Sequence, residues 1–357
     1  MAWPNLNDAS GKRRSPMLVV DMGGRTSKSV LIEKRDDRLA VTRYAMLDAP
    51  IFDKRISSEL LAGHLREIVQ KMDARPKSVT LTVGLDDVML KQIELPQIPV
   101  DDMRLVIKNN TKAYLQQDLP NYAFDCHIFI PKIAPSAEAI SKTPIAPKLK
   151  VLVGGAKQEF LDIYHAAVVE AGFAMGHVVP GLIGPLNAFE VSLPEAFAGE
   201  TVALVDIGFK HSSICILDRG QLVLMRVVNI GGDRLTAGLA EMMNISYAEA
   251  EGIKIGMPGE VQAALEAQVQ PLGRELRASL DFFEHQHDRP VSRVYVCGAS
   301  AQSELILQIL HSEMVVECRA WNPGESWQWA LPAQQSVEME HIGPQLTVAL
   351  GAALSAF

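Results

Sequence analysis

The 357-residue chain carries 34 Lys+Arg against 42 Asp+Glu, a formal net charge of −8, with 48% hydrophobic and 21% charged residues. The length suggests about two domains with ample core, and the composition excludes collagen-like repeats and wholesale disorder. An acidic balance argues against a general nucleic-acid binder, which needs a basic face.

Residues 1–16 are polar, with Lys12, Arg13 and Arg14, and predict a loose tail. The apolar run that follows stops at Asp21, too short for a secretory core, so a cytosolic chain is expected. Residues 19–32 read Val-Val-Asp-Met-Gly-Gly-Arg-Thr-Ser-Lys-Ser-Val-Leu-Ile: a strand, a tight glycine turn and a second strand, with a third at 39–44. Next come strands at 79–83 and 88–95 and an amphipathic helix over 100–115, with Met103, Val106, Ile107 and Tyr114 near one stripe. A strand at 125–130, a Pro-, Ala- and Ser-rich loop at 131–147, a strand at 150–154 and a helix at 158–171 complete this stretch. Residues 171–189 lack Asp, Glu, Lys and Arg, approaching the ~20 residues of a membrane span. Pro180, Pro185 and four glycines would break a lone helix, so a buried strand, a turn and a helix start are predicted instead.

The first device then recurs. Residues 204–217 read Leu-Val-Asp-Ile-Gly-Phe-Lys-His-Ser-Ser-Ile-Cys-Ile-Leu, followed by a strand at 221–228. Two separated copies of one strand–turn–strand unit predict a duplicated fold with two similar halves. Gly231-Gly232-Asp233 opens a helix reaching about 243, where a helix N-terminus attracts anions. A second helix spans 246–254, with Ser246 as N-cap and Glu249 at the capping-box position. Glu251 and Lys254 lie three apart on it; taken alone, they predict a solvated salt bridge. A strand at 293–297, a tight turn at 298–301 and a helix at 303–310 follow. Cys126, Cys215, Cys297 and Cys318 form no metal-ligand spacing; Cys215 and Cys297 lie in apolar runs and are expected to be buried free thiols.

The chemistry open to the paired units is specific. A turn of Gly and small hydroxyl residues exposes amides that cradle phosphate oxygens. An Asp at the preceding strand end can hold a hydrated Mg²⁺ against those phosphates. Two facing turns would clamp a polyphosphate, with Asp21 and Asp206 converging on one Mg²⁺ largely through water. The Gly298–Ala299 turn is another place where backbone can approach a flat ligand such as a purine.

In order and spacing these segments resemble the actin-like ATPase superfamily. The phosphate-1 segment matches at 21–28, phosphate-2 at 206–213, the adenosine segment at 294–301 and a closing helix at 345–356. Within it, the chain resembles the type IV pilus assembly protein PilM family, related to the cell-division protein FtsA. Supporting pieces are Ile93-Glu94-Leu95-Pro96, Val151–Lys157, Gly231–Thr236, Ala250–Lys254 and Leu276–Phe283. The resemblance implies an α/β, actin-like (ribonuclease H-like, duplicated) fold with an inserted α+β subdomain. Expected boundaries are a tail at 1–16 and a first half at 17–198, with its insert at about 77–169. A second half at 199–342 follows, with a helical subdomain at about 255–292, then a C-terminal helix at 343–357 returning to the first half.

The resemblance further implies ATP and Mg²⁺ as cofactors. The expected nucleotide contacts are Asp21, Gly23, Gly24, Thr26, Ser27 and Lys28 in the first turn. Asp206, Gly208, Lys210 and Ser212 serve in the second. Gly231, Gly232, Glu251, Lys254, Gly298 and Ala299 surround the rest. Asn187 and Glu190 are the candidates for positioning an attacking water, in at most a slow ATPase acting mainly as a nucleotide-binding scaffold. Arg25, Phe209, Lys210 and His211 are bulkier than the family pattern, and Cys297 and Ala299 stand where it has Gly. The implied partner is the cytoplasmic N-terminal tail of a PilN-like inner-membrane protein, with pilus motor ATPases and further copies of the chain as others. Neither nucleic acid nor direct membrane insertion is expected, and the implied location is the inner face of the cytoplasmic membrane. Two alternatives stand beside this one. One is an FtsA-like tethered filament former, although the sequence ends at Phe357 without that group's basic amphipathic helix. The other is a metabolite kinase, although no clear catalytic Asp is present in the insert.

Overall fold

A computed structural model describes residues 16–35, 38–84, 87–129, 148–256 and 261–356. The expected tail, apart from Pro16, and the expected loop at 131–147 lie outside the described residues.

The chain opens with a meander of β1 (Met17–Asp21), β2 (Thr26–Arg35) and β3 (Arg38–Asp48), then α1 (Ser58–Lys71) and β4 (Ser78–Val83). There follow β5 (Val88–Pro96), α2 (Val100–Asn109), α3 (Thr111–Leu115), β6 (Tyr122–Ile128), β7 (Lys148–Lys157) and α4 (Gln158–Glu170). Next are β8 (Ala174–Pro180), α5 (Ile183–Ser192) and α6 (Pro194–Gly199). A second meander, β9 (Thr201–Ile207), β10 (Ser212–Asp218) and β11 (Gln221–Val228), leads to α7 (Gly232–Met243), α8 (Tyr247–Gly256) and α9 (Gln262–His287). The chain closes with β12 (Arg293–Cys297), α10 (Glu304–Met314), β13 (Cys318–Ala320), β14 (Gln328–Trp329), α11 (Ala333–Ile342) and α12 (Thr347–Leu354).

Packing divides this into two compact units, Leu85–Ala167 and the remainder. In the larger unit, one sheet runs β14-β3-β2-β1-β4-β8 and the other β11-β10-β9-β12-β13. Leaving β14 aside, the two orders are the same: each meander is antiparallel, and each first strand takes a parallel neighbour, β4 on β1 and β12 on β9. This is the expected duplication, realised as topology. Leu18, Val19 and Val20 have no exposed surface, as a central strand buried on both faces requires. The second sheet is covered by α9, whose Leu265, Val269, Leu272, Leu276, Leu280 and Phe283 recur at helical spacing and face one core. On the first sheet, Ala349, Leu350, Ala352 and Ala353 of α12 pack against Val19 and Val30.

In the smaller unit β7 lies between β5 and β6, antiparallel to both. Leu95, Met103, Ile107, Leu115, Cys126, Val151 and Val153 form its core. The helix expected over 100–115 is two helices. Asn110 leaves the helical region (φ −146°, ψ 53°) and its amide closes on Ile107 O at 3.1 Å. Asn competes poorly for a helix interior. Among the described residues, no helix is long and apolar enough to cross a membrane; residues 174–192 form β8 and α5.

Candidate nucleotide site

Asp21 ends β1, and the register sets Lys28 of β2 and Thr82 of β4 beside it. Its carboxylate accepts from Thr82 Oγ1 at 2.8 Å and pairs with Lys28 Nζ at 3.3 Å. Only 8% of the residue is exposed. Asp206 occupies the equivalent place near the end of β9, between Ser213 of β10 and Cys297 of β12. Burial, reinforced by the nearby charge of Asp21, pushes the Asp206 carboxyl up to about 6; Lys28 and a hydrogen bond from the Cys297 thiol act against it. Burial also pushes the Cys297 thiol up, which keeps it protonated and able to donate. The chain leaves β12 through Gly298 at φ +90°, where a Cβ would stand 2.4 Å from Ile207 O and 2.8 Å from Asp206 Oδ1. Only glycine allows both that conformation and that approach.

The two glycine turns abut: a Cβ on Gly24 would meet the Phe209 ring at 3.4 Å and Lys210 Cγ at 3.6 Å. Arg25 leaves the first turn and reaches α8. Its guanidinium lies 3.4 Å from Glu251 Oε1, with the Phe209 and Tyr247 ring centroids at 5.8 and 5.9 Å. The other Glu251 oxygen accepts from Lys254 Nζ at 2.8 Å and lies 2.5 Å from Thr236 Oγ1, which in turn accepts from Lys254 at 2.7 Å. Burial pushes the Glu251 carboxyl up, but the Lys254 and Thr236 hydrogen bonds, with the charges of Lys254 and Arg25, outweigh it and hold it below the usual range. The Glu251–Lys254 pair is therefore not the solvated bridge its spacing predicts. Lys254 is 4% exposed because α8 packs on α7 and presents it to Thr236. The capping box that starts α8 forms as expected, with Ser246 N donating to Glu249 Oε2 at 2.9 Å and Glu249 N to Ser246 Oγ at 3.3 Å.

The first amides of α7 are engaged by the second turn: Gly232 N donates to Gly208 O and Asp233 N to Phe209 O, both at 2.9 Å. Gly208, Gly231 and Gly232 are thus fastened together, with Ser300 beside Gly232. Two expected hydroxyls face elsewhere. Ser27 is fully buried against His64 Nε2 of α1 at 2.8 Å, while Thr26 and Lys28 alternate to the other face of β2. Ser212 is fully buried and donates to Ile230 O at 2.6 Å. Lys210 and Ala299 are exposed beside the turns.

Asn187 donates its side-chain NH2 to α12, to Gly351 O at 3.2 Å and Ser355 Oγ at 2.7 Å, while its buried Oδ1 has no hydrogen-bond partner. Glu190 lies one turn further along α5, half-buried. Sequence reasoning missed Thr82, whose signal was a hydroxyl at an inward position of an apolar strand. It also missed Cys297 as the partner of Asp206, and Thr236 as the hub between Glu251 and Lys254.

The residues present fit a hydrated Mg²⁺ with a polyphosphate. The charges of Asp21 and Lys28 both act on Asp206, and among the described residues no group of three His, Cys, Asp or Glu is placed to hold a metal ion. Mg²⁺ keeps several waters and takes one or two carboxylates plus phosphates, which suits such a sparse donor set.

A duplicated sheet pair, with an acidic strand end in each half and glycine turns between them, defines the actin-like ATPase fold. The chain belongs to the family of type IV pilus assembly protein PilM, whose model matches residues 19–357. Among solved structures it is similar to the PilM-PilN type IV pilus biogenesis complex, with a TM-score of 0.80, 22% identity, and 95% of this chain and 97% of that one covered. It is also similar to the ethanolamine utilization protein EutJ from Carboxydothermus hydrogenoformans, with a TM-score of 0.54, 15% identity and coverage of 95% and 89%. A third is MreB5 of Spiroplasma citri bound to ADP, with a TM-score of 0.51, 12% identity and 96% of each chain covered. The chain is accordingly a type IV pilus assembly component with an actin-like fold.

Proposed function

We propose that this chain binds ATP–Mg²⁺ between its two sheets and acts as a platform for the cytoplasmic N-terminal tail of a PilN-like membrane protein. The observation that supports the nucleotide half is the pair of carboxylates, Asp21 and Asp206, at equivalent strand ends and near enough to act on each other's charge, with Lys28 paired to Asp21. Asp21 and Asp206 hold Mg²⁺ largely through water, and the ion neutralises phosphate charge when bound. Lys28 and the exposed Lys210 would supply positive charge to the phosphates, while Gly298 lets the chain leave β12 tightly against Asp206. MreB5, which shares the fold and was solved bound to ADP, supports the same reading.

The partner half rests on the relative solved as a PilM-PilN complex, which matches nearly end to end. Attachment to the inner face of the membrane then runs through the partner. Turnover is slow in this proposal: the Asn187 NH2 group is spent on α12, and its Oδ1, buried without a hydrogen-bond partner, is the atom left to orient a water. Calorimetry tests the first half: wild type takes up Mg–ATP, and Asp21→Ala and Asp206→Ala each weaken it at least tenfold. A wild type that takes up no ATP overturns it. Capture of the chain by an immobilised N-terminal peptide of the neighbouring PilN-like protein tests the second.

A further inference from the structure

Arg25 is the one departure in the first turn that the nucleotide reading leaves without a role. It stands between two anion sources. On one side is Glu251 Oε1 at 3.4 Å, carried by α8 of the second half; on the other is its own turn, Gly23–Gly24, where phosphate oxygens belong if the proposed function holds. The Phe209 and Tyr247 rings flank the guanidinium, and Tyr247 is itself oriented by its hydroxyl donating to Asp233 Oδ1 at 2.8 Å. A planar, delocalised cation suits that slot, and a lysine would not fill it.

The Glu251 pairing is weak. The Arg25 side chain is 46% exposed and the contact is a single long one, so solvent and salt screen most of its attraction. A triphosphate on the turn offers more charge and a two-pronged hydrogen-bonding edge. Glu251 does not depend on Arg25 either, since Lys254 and Thr236 already hold its other oxygen.

We propose that Arg25 is shared between Glu251 and the nucleotide phosphates, so that filling the site releases α8 from the first turn. Nucleotide occupancy is thereby converted into a change in how firmly one half holds the other. The idea rests on the nucleotide reading, and the test separates the two.

The test is a double-mutant cycle of Arg25→Ala, Glu251→Gln and the pair, with unfolding equilibria measured without nucleotide and in saturating Mg–ATP. Arg25→Lys serves as a charge-retaining control. Without nucleotide the two sites are coupled by about threefold in the unfolding constant, the size expected of an exposed pair. Arg25→Lys loses most of that coupling. In Mg–ATP the coupling vanishes, and Arg25→Ala binds Mg–ATP several-fold more weakly than wild type. No coupling without nucleotide, or coupling that persists in Mg–ATP, overturns the sharing while the nucleotide reading stands. A wild type that takes up no Mg–ATP overturns both.

Discussion

At Asp206 the carboxyl is drawn out of water and set near Asp21, and Lys28 and the Cys297 thiol offset this only in part, so it titrates at about 6, not at 3.8. Over that window the folded chain binds more protons than the unfolded one, so this group's contribution to stability falls as pH rises through it. Asp206→Asn therefore raises the melting temperature at neutral pH and loses that advantage in acid below the open-chain pKa. Thermal unfolding at the two pH values checks this; an equal gain at both would mean that charge is not the cause. Metal has to compete with the same proton, so Mg–ATP affinity should rise by up to about tenfold per pH unit on the acid side of the Asp206 pKa, then level off. Far from the site, Val315 ends α10 at φ +56° with 78% of its surface exposed, a left-handed conformation that suits a β-branched residue badly. Val315→Gly relieves that strain without uncovering core and should stabilise the chain by about 1 kcal/mol in denaturant titration.

Between elements, the α5–α12 crossing is the tightest contact near the expected water-positioning residues. A Cβ on Gly351 would fall 1.8 Å from Gly184 O, so backbone meets backbone there and no side chain can yield. Gly351→Ala should then cost about 3 kcal/mol or more. Asn187 spans the same crossing, and Asn187→Ala should cost about 1–2 kcal/mol while leaving ATP affinity unchanged. Unchanged stability with lost turnover would instead restore it to the catalytic role expected from its position. These contacts mark what a single sequence can carry. The repeated Asp-x-Gly units and the Ser246–Glu249 cap were legible because their partners lie within a few residues. The inward turn of Ser27, the burial of Lys254, and Thr82 beside Asp21 were not, because each depends on which distant strand or helix becomes the neighbour. Alternation along β2 says that Ser27 and Lys28 oppose each other, but only the pairing of β1 with β2 and β4 says which of them faces Asp21.

For the whole molecule, the two acidic strand ends belong to different sheets, so neither half can hold the proposed ligand alone. A ligand that binds only the folded, juxtaposed halves stabilises them by mass action, about 2.7 kcal/mol at a hundredfold excess over Kd. With the unfolding entropy of a 357-residue chain that corresponds to a rise of about 4 °C in the melting temperature. The metal decides the electrostatics. Without Mg²⁺ a triphosphate must sit against Asp21 and Asp206 with Lys28, Lys210 and Arg25 to compensate, and Lys28 is already paired with Asp21 at 3.3 Å and Arg25 with Glu251 at 3.4 Å. Chelation by EDTA should therefore erase most of the ATP-induced shift, and Asp21→Ala should cut it by about half or more with Mg²⁺ present. A peptide from the PilN-like partner makes no such demand, so its stabilisation should survive EDTA undiminished. An ATP shift that also survives EDTA would mean that phosphates are held by the lysines and turn amides alone, and that the two carboxylates serve the fold and not a metal.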